Sequence, residues 1–254
     1  REPLRLRHCE ASMPTIQTRH APGRCADACR AVASPANRRP ICVLEGAVSD
    51  NPIPEKFVRA LPKTDLHVHL DGSIRIPTLI DLAKEYAVEL PSHTEGGLRE
   101  LVFKDRYASL GEYLRGFAYT TKVMQSELAL ERVAYELALD NQEEGVRYLE
   151  VRFAPQLHVH GHMNAVMVLK AVNRGLRRAQ REFNNRKTVV KGAEPPFHYG
   201  IIVSAMRKFT HQFSEYFASM LRVHRYSEPK EVYSMASLEL AQAAILARDR
   251  YGLP

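Results

Sequence analysis

The feature that most constrains the fold is an alternation of short apolar segments with long amphipathic ones, which begins near Asn51. The apolar segments predict strands near residues 64–70, 146–154 and 199–206. Helical spacing of apolar residues fills the gaps between them. Because strands that alternate with helices are typical of a parallel sheet, residues 51–254 are predicted to form an α/β domain.

The amphipathic segments predict six helices. The first begins at Pro77, since proline suits the first turn of a helix, and the last ends before Gly252. Apolar residues at helical spacing place the remaining boundaries, so that helices two to six are expected over residues 110–124, 127–142, 165–183, 213–223 and 231–251. Residues 187–196 are predicted to form a loop.

Residues 1–50 differ from the rest in composition, and we predict a disordered basic tail there. Residues 1–44 hold eight arginines and three acidic residues, which accounts for +5 of the total charge of +7. The nearly neutral remainder argues against a nucleic-acid partner. No run of eighteen apolar residues occurs, so a membrane partner is not expected either. We expect a cytoplasmic protein, although the arginine-rich composition leaves organelle targeting open.

The four cysteines of the chain all lie in this tail, at Cys9, Cys25, Cys29 and Cys42. Cys25 and Cys29 are closely spaced, but the second close pair of a zinc ribbon is absent. We therefore expect tail thiols rather than a metal cluster.

The stretch TDLHVHLDGS, over residues 64–73, carries the strongest chemical signal. Alternate residues of a strand point to the same face, so His67 and His69 project together, and Asp71 joins them if the strand extends so far. Neutral imidazoles suit zinc, whereas calcium and magnesium prefer oxygen ligands. A bare pair of histidines is often coincidental, but the apolar neighbours and the following Asp71 and Gly72 favour a metal site.

A second group of histidines occurs in LHVHGHM, over residues 157–163. His158, His160 and His162 also have a period of two. Because Gly161 interrupts strand geometry, we expect a solvated loop there rather than an independent metal site.

Four stretches together resemble the adenosine deaminase family. KTDLHVHLDGS at residues 63–73 resembles its opening motif, and SLGEYLRGF from Ser109 is similar to its pocket-covering helix. EGVRYLEVRFAPQL from Glu144 and GIIVSAMR from Gly200 resemble its second and third barrel strands. The similarity covers roughly residues 55–254, and the four stretches follow one another in the same order as in the family.

The resemblance implies a (β/α)8 TIM barrel with a catalytic zinc ion that hydrolyses adenosine to inosine and ammonia. His67 and His69 match the first two zinc ligands. The matching substrate contacts are the segment after the first strand, an apolar lid and two strand ends: Asp71, Gly72, Leu110, Tyr113, Leu114, Phe117, Phe153 and Met206. The four lid positions form one helical stripe, a pattern that more often marks only the buried side of a helix.

The resemblance also implies residues that this sequence lacks. The family has a third zinc histidine and a catalytic glutamate in a HAGE-like segment, an orienting histidine in a GHG-like segment, and a zinc aspartate in an SDDP-like segment; none of these occurs here. We therefore expect the first three βα units of a barrel, truncated before the catalytic residues and inactive alone. The alternatives are a non-catalytic half-barrel fragment or degenerate paralogue, and a related deaminase of adenine or AMP.

Overall fold

A parallel sheet of three strands organises the structure, a computed structural model that describes residues 53–254. The strands are β1 (Lys63–His69), β2 (Val146–Phe153) and β3 (His198–Val203), and their order in the sheet follows the chain, with β2 in the centre. The predicted α/β class is confirmed. The predicted disordered tail over residues 1–50 and its four cysteines lie outside the described residues.

Nine α-helices connect and cover the strands of residues 53–254. None of them combines the length and apolar character that crossing a membrane would demand. In chain order they are α1 (Glu55–Ala60), α2 (Ile76–Glu85), α3 (Glu95–Leu101), α4 (Leu110–Val123), α5 (Glu127–Glu143), α6 (Ala165–Asn184), α7 (Lys187–Val190), α8 (Glu215–Val223) and α9 (Pro229–Tyr251).

The six predicted helices are present, and three short ones were not predicted. The prediction of a loop over residues 187–196 is wrong at its start, where α7 forms a single turn. Helices α1 and α3, of six and seven residues, were likewise missed. Helices this short span too few turns to show a helical period, so hydrophobic spacing does not reveal them.

Polar side chains cap the first turn of five helices where the sequence changes from loop to helix. Thr94, Ser109, Ser126, Asn164 and Ser214 each accept a hydrogen bond from a backbone N–H in the first turn of α3, α4, α5, α6 and α8. Helix α9 ends before Gly252, as the sequence predicted. The φ of Gly252 is 61°, in the left-handed region that glycine adopts readily.

The main core lies between the sheet and helices α5 and α6. Along β2, burial alternates, with Leu149, Val151 and Phe153 fully buried and Tyr148 on the opposite face exposed. Leucines, valines and alanines of α5 and α6 complete the core: Leu130, Val133, Ala134, Leu137, Val168, Val172 and Leu176.

A second, smaller core joins α8 to the start of α9. Its buried members are Phe209, Phe217, Val232 and Ala236. Gln156, in the short 3₁₀ helix Pro155–His158 after β2, ties this unit to the sheet because its side-chain amide donates to the Ala236 carbonyl at 2.7 Å.

An ion pair connects the turn after β1 to α5. Arg75 lies immediately before α2, and its Nε atom is 3.1 Å from both carboxylate oxygens of Asp140. Asp140 is buried, whereas the Arg75 side chain is about one-third exposed. A forked arginine contact of this kind fixes orientation as well as distance, so it holds the end of β1 against the rest of the fold.

The side chain of His158 is fully buried beneath the end of α4. Its Nδ1 atom is 3.4 Å from the Gln125 amide, while Nε2 has no hydrogen-bond partner. Burial lowers the pKa of His158 to about 4, and the nearby His160 adds to this effect. The native protein therefore holds this imidazole neutral.

Substituting Gly175 tests the close approach of α5 and α6. A Cβ atom at this position would lie 2.2 Å from the Glu131 carbonyl oxygen, so we expect Gly175→Ala to lower the free energy of unfolding by about 1–3 kcal/mol in urea titrations. The control is Gly96→Ala in α3, where no atom lies within 4 Å of the added carbon. We expect the control to be neutral or stabilising, and equal losses in both variants would contradict the explanation.

Unfolding at two pH values tests the burial of His158. Below about pH 6.5 the imidazole of the unfolded chain binds a proton that the native chain does not. The free energy of unfolding therefore decreases as the pH is lowered, until the native imidazole titrates near pH 4. At 1.36 kcal/mol per pKa unit, the loss reaches about 3 kcal/mol. We expect His158→Asn to show a smaller loss between pH 7 and pH 4.5; the same loss in both proteins would disprove the assignment.

Candidate active site

A pocket of about 870 Å³ opens at the carboxyl ends of the three strands. Each strand contributes to it at or just beyond its last residue, and helix α4 and the loop after β3 form the sides. The lining residues at the strand ends are His69, Asp71, Phe153, Leu157, Ser204 and Met206. This edge is where barrel folds place their reactive groups.

The two predicted metal ligands lie side by side at the end of β1. The ring centroids of His67 and His69 are 5.4 Å apart, and the rings are tilted by 40°. His69 is paired with Arg152 of β2 and lines the pocket, whereas His67 does not belong to the lining. The ladder with β2 is irregular between Asp65 and Val68, a feature that strand periodicity did not predict.

The donor chemistry of this pair fits part of a catalytic zinc site. Two neutral imidazoles suit zinc, but a catalytic zinc ion generally takes three protein ligands and leaves one position open. Among residues 53–254, no group of three histidine, cysteine or acidic side chains is arranged to hold a metal ion.

The carboxyl group of Asp71 lies beside His69, with 3.8 Å between its Oδ1 atom and the imidazole Nδ1. Oδ1 is buried and has no hydrogen-bond partner. Burial raises the pKa of Asp71 to about 6, against the opposing effect of backbone hydrogen bonds at Asp71 and Gly72. A buried carboxyl oxygen of this kind, on the wall of a pocket, can accept a hydrogen bond from a ligand hydroxyl.

A tight turn, rather than an extension of the strand, places Asp71 there. Strand β1 ends at His69, and the Ser73 hydroxyl donates to the His69 carbonyl at 2.6 Å. The Ser73 backbone N–H donates to the Leu70 carbonyl. Gly72 is buried within this turn and does not line the pocket.

The predicted lid residues of α4 divide into two groups. Leu114 and Phe117 line the pocket, whereas Leu110, which is 70% exposed, and Tyr113 do not. The Tyr113 ring instead packs edge-on against Tyr107, with 5.3 Å between centroids. The buried residues of α4 are on another face, at Gly116, Thr120 and Val123, so the apolar stripe is not simply the core side of the helix.

Several lining residues were not predicted from the sequence. Thr121 lies on α4 four residues after Phe117, so helical spacing would have placed it on the same face. Six others lie in loops, where no periodicity applies: Ala87, Val88 and Glu89 after α2, and Gln212, Phe213 and Ser214 after β3.

The histidines of residues 158–162 have separate environments. The expectation of a solvated loop is wrong for His158, which is fully buried. His160 donates from Nε2 to the Gln125 carbonyl at 3.1 Å and pairs through its backbone with Met163. The loop is therefore a tight turn packed against the end of α4.

Comparison with known proteins identifies similar sequences. The chain is 44% identical to an adenosine deaminase of Vibrio atlanticus over 49% of this chain and 38% of that protein. It is 46% identical to an adenosine deaminase of Shewanella pealeana over the same shares of the two chains. The match thus spans less than half the length of these relatives.

Among solved structures, the fold is similar to that of a cog1816 amidohydrolase with bound Zn from Burkhoderia ambifaria. The TM-score is 0.52 at 17% sequence identity, over 82% of this chain and 62% of that one. At this identity the similarity concerns the fold alone. It agrees with the predicted barrel type, of which residues 53–254 hold three strands.

The family assignment follows from the length of sequence that matches. The sequence model of the adenosine deaminase family matches residues 62–235, from just before β1 into α9, and so includes all three strands and every helix that contributes to the pocket. The chain therefore belongs to the adenosine deaminase family.

Proposed function

We propose that the protein to which this chain belongs hydrolyses adenosine to inosine and ammonia with the help of zinc, and that this chain supplies two zinc ligands and much of the substrate pocket. The observation that carries the proposal is the imidazole pair at the end of β1, next to a buried carboxyl group on the wall of a pocket. Family membership supports the reaction type.

His67 and His69 are the residues that would hold the zinc ion. When bound, zinc activates water for attack on the purine carbon that bears the amino group. The turn closed by Ser73 and the ion pair between Arg75 and Asp140 keep the end of β1 in place, so the imidazoles are positioned before any ligand arrives.

Asp71 favours a nucleoside over the alternative substrates. Its buried Oδ1 atom can accept a hydrogen bond from a ribose hydroxyl, which the free base adenine lacks. A carboxylate at this position would also repel the phosphate of AMP. Adenosine satisfies the unpartnered oxygen without bringing a second negative charge near it.

The apolar walls suit the purine ring. Leu114 and Phe117 from α4, and Met206 beyond β3, would cover the heterocycle and exclude bulk water from the reacting carbon, while Phe153, fully buried at the end of β2, would border the pocket. The acidic groups lining the pocket from residues 53–254 are Asp71 and Glu89. We assign neither to proton transfer, and we propose that the catalytic carboxylic acid comes from outside the described residues.

Metal binding tests the role of the imidazole pair. In calorimetric titrations of the chain with Zn²⁺, after alkylation of its four cysteines, we expect one weak site. His67→Ala and His69→Ala should each weaken binding about tenfold or more, because each removes half of the donor set. The matched control is His198→Ala, an exposed histidine of β3. Equal affinities in all four proteins would contradict the assignment.

Ligand binding tests the substrate. We expect the chain to bind adenosine more tightly than adenine or AMP, and Asp71→Asn to raise the adenosine Kd about fivefold or more, because a neutral amide oxygen is a weaker acceptor than a carboxylate. No ammonia should be released by the chain alone with zinc. Binding of AMP in preference to adenosine would refute the substrate, and zinc-dependent inosine formation by the chain alone would refute the absence of catalytic residues.

A further inference from the structure

One aromatic side chain lines the pocket from the side opposite to α4. Phe213 lies in the loop between β3 and α8, while α4 belongs to the connection between β1 and β2. Because β2 is the central strand, these two segments flank the pocket from either end of the sheet edge. Phe213 therefore bounds the space across from Leu114 and Phe117.

Phe213, a residue with a large apolar ring, leaves much of its surface exposed. It has 41% of its surface open, although Phe209 and Phe217 of the same region are buried. Exposed aromatic surface on the wall of a concave apolar pocket is characteristic of ligand sites, since a bound planar molecule would cover it. Leu114, on the other wall, is also half exposed.

The structure also holds Phe213 in position. Its backbone N–H donates to the Thr210 carbonyl, and the next residue, Ser214, caps α8 and donates from its hydroxyl to the Gln156 carbonyl at 2.8 Å. The Phe213 ring meets Phe217 edge-on with 6.4 Å between centroids, and Phe217 stacks on Phe209 at 4.1 Å. A ring fixed before binding loses little conformational entropy when a ligand arrives.

We infer that Phe213 is a specificity-determining residue, whose ring packs against the purine on the face opposite to Leu114 and Phe117. The inference rests on the proposed function, because it takes the ligand to be a purine nucleoside. An aromatic face stacks better on a two-ring purine than on a one-ring pyrimidine, since the overlapping area is larger. Phe213 thus contributes to the choice of the base, whereas Asp71 contributes to the choice of the sugar.

The test is nucleoside binding to the 254-residue chain by calorimetry. Phe213→Ala should raise the Kd for adenosine about tenfold and change the Kd for cytidine much less, so that the preference for the purine falls. Phe213→Tyr, which keeps the ring, should bind adenosine within about twofold of the unsubstituted chain. The matched control is Tyr226→Ala, which removes an aromatic ring that is 87% exposed and outside the pocket, and it should change neither Kd.

The outcomes separate this inference from the proposed function. If the unsubstituted chain binds adenosine and Phe213→Ala binds it equally well, or loses both nucleosides to the same extent, the inference fails and the proposed function stands. If the unsubstituted chain does not bind adenosine, the proposed function fails and the inference fails with it. Should Phe213→Ala not fold, Phe213→Leu keeps the apolar volume, removes the ring, and is expected to lose the purine preference.

Discussion

The burial of one face of β2 is the constraint on which the remaining structure depends. Both other strands of the described sheet pair with β2, and its residues Leu149, Val151 and Phe153 pack against α5 and α6. A shift of β2 by one residue would turn these side chains away from the helices, so packing determines its register strongly. The same register aligns His69 with Arg152, and Phe153 with Val203, and so brings the three strand ends together around one pocket.

The site depends on this core through a few polar contacts. The Ser73 hydroxyl closes the turn after β1, and the Arg75 guanidinium holds that turn to the buried carboxylate of Asp140. These contacts satisfy groups that burial would otherwise make costly. Asp71 and His158, by contrast, each keep one buried polar atom without a hydrogen-bond partner. Asp71 lines the pocket, where a ligand can satisfy it, whereas His158 lies beneath the pocket and is held neutral by burial.

Strands and long helices were predictable because their periods are repeated several times. Predicted and observed strands differ by three residues at most, and the helix from Leu110 ends within one residue of the expected position. Single-turn α7 shows no period, and the ladder irregularity before Val68 depends on the partner strand. The pairing of His67 with His69 was foreseeable from the spacing alone. Asp71 was expected beside them only if the strand extended that far, whereas a turn after the strand places it beside His69.

By itself, the sequence determined the α/β class, the order of the elements and the chemistry at the end of β1, since these follow from local periodicity and from a short motif. Tertiary structure alone decided which of the lid residues face the pocket, because the rotation of α4 about its axis is set by the packing of Gly116, Thr120 and Val123. It also decided that His158 is buried and that Phe213, from a loop without any periodic pattern, lines the same pocket as α4. Contacts between segments distant in the chain determine those positions, and no local pattern encodes them.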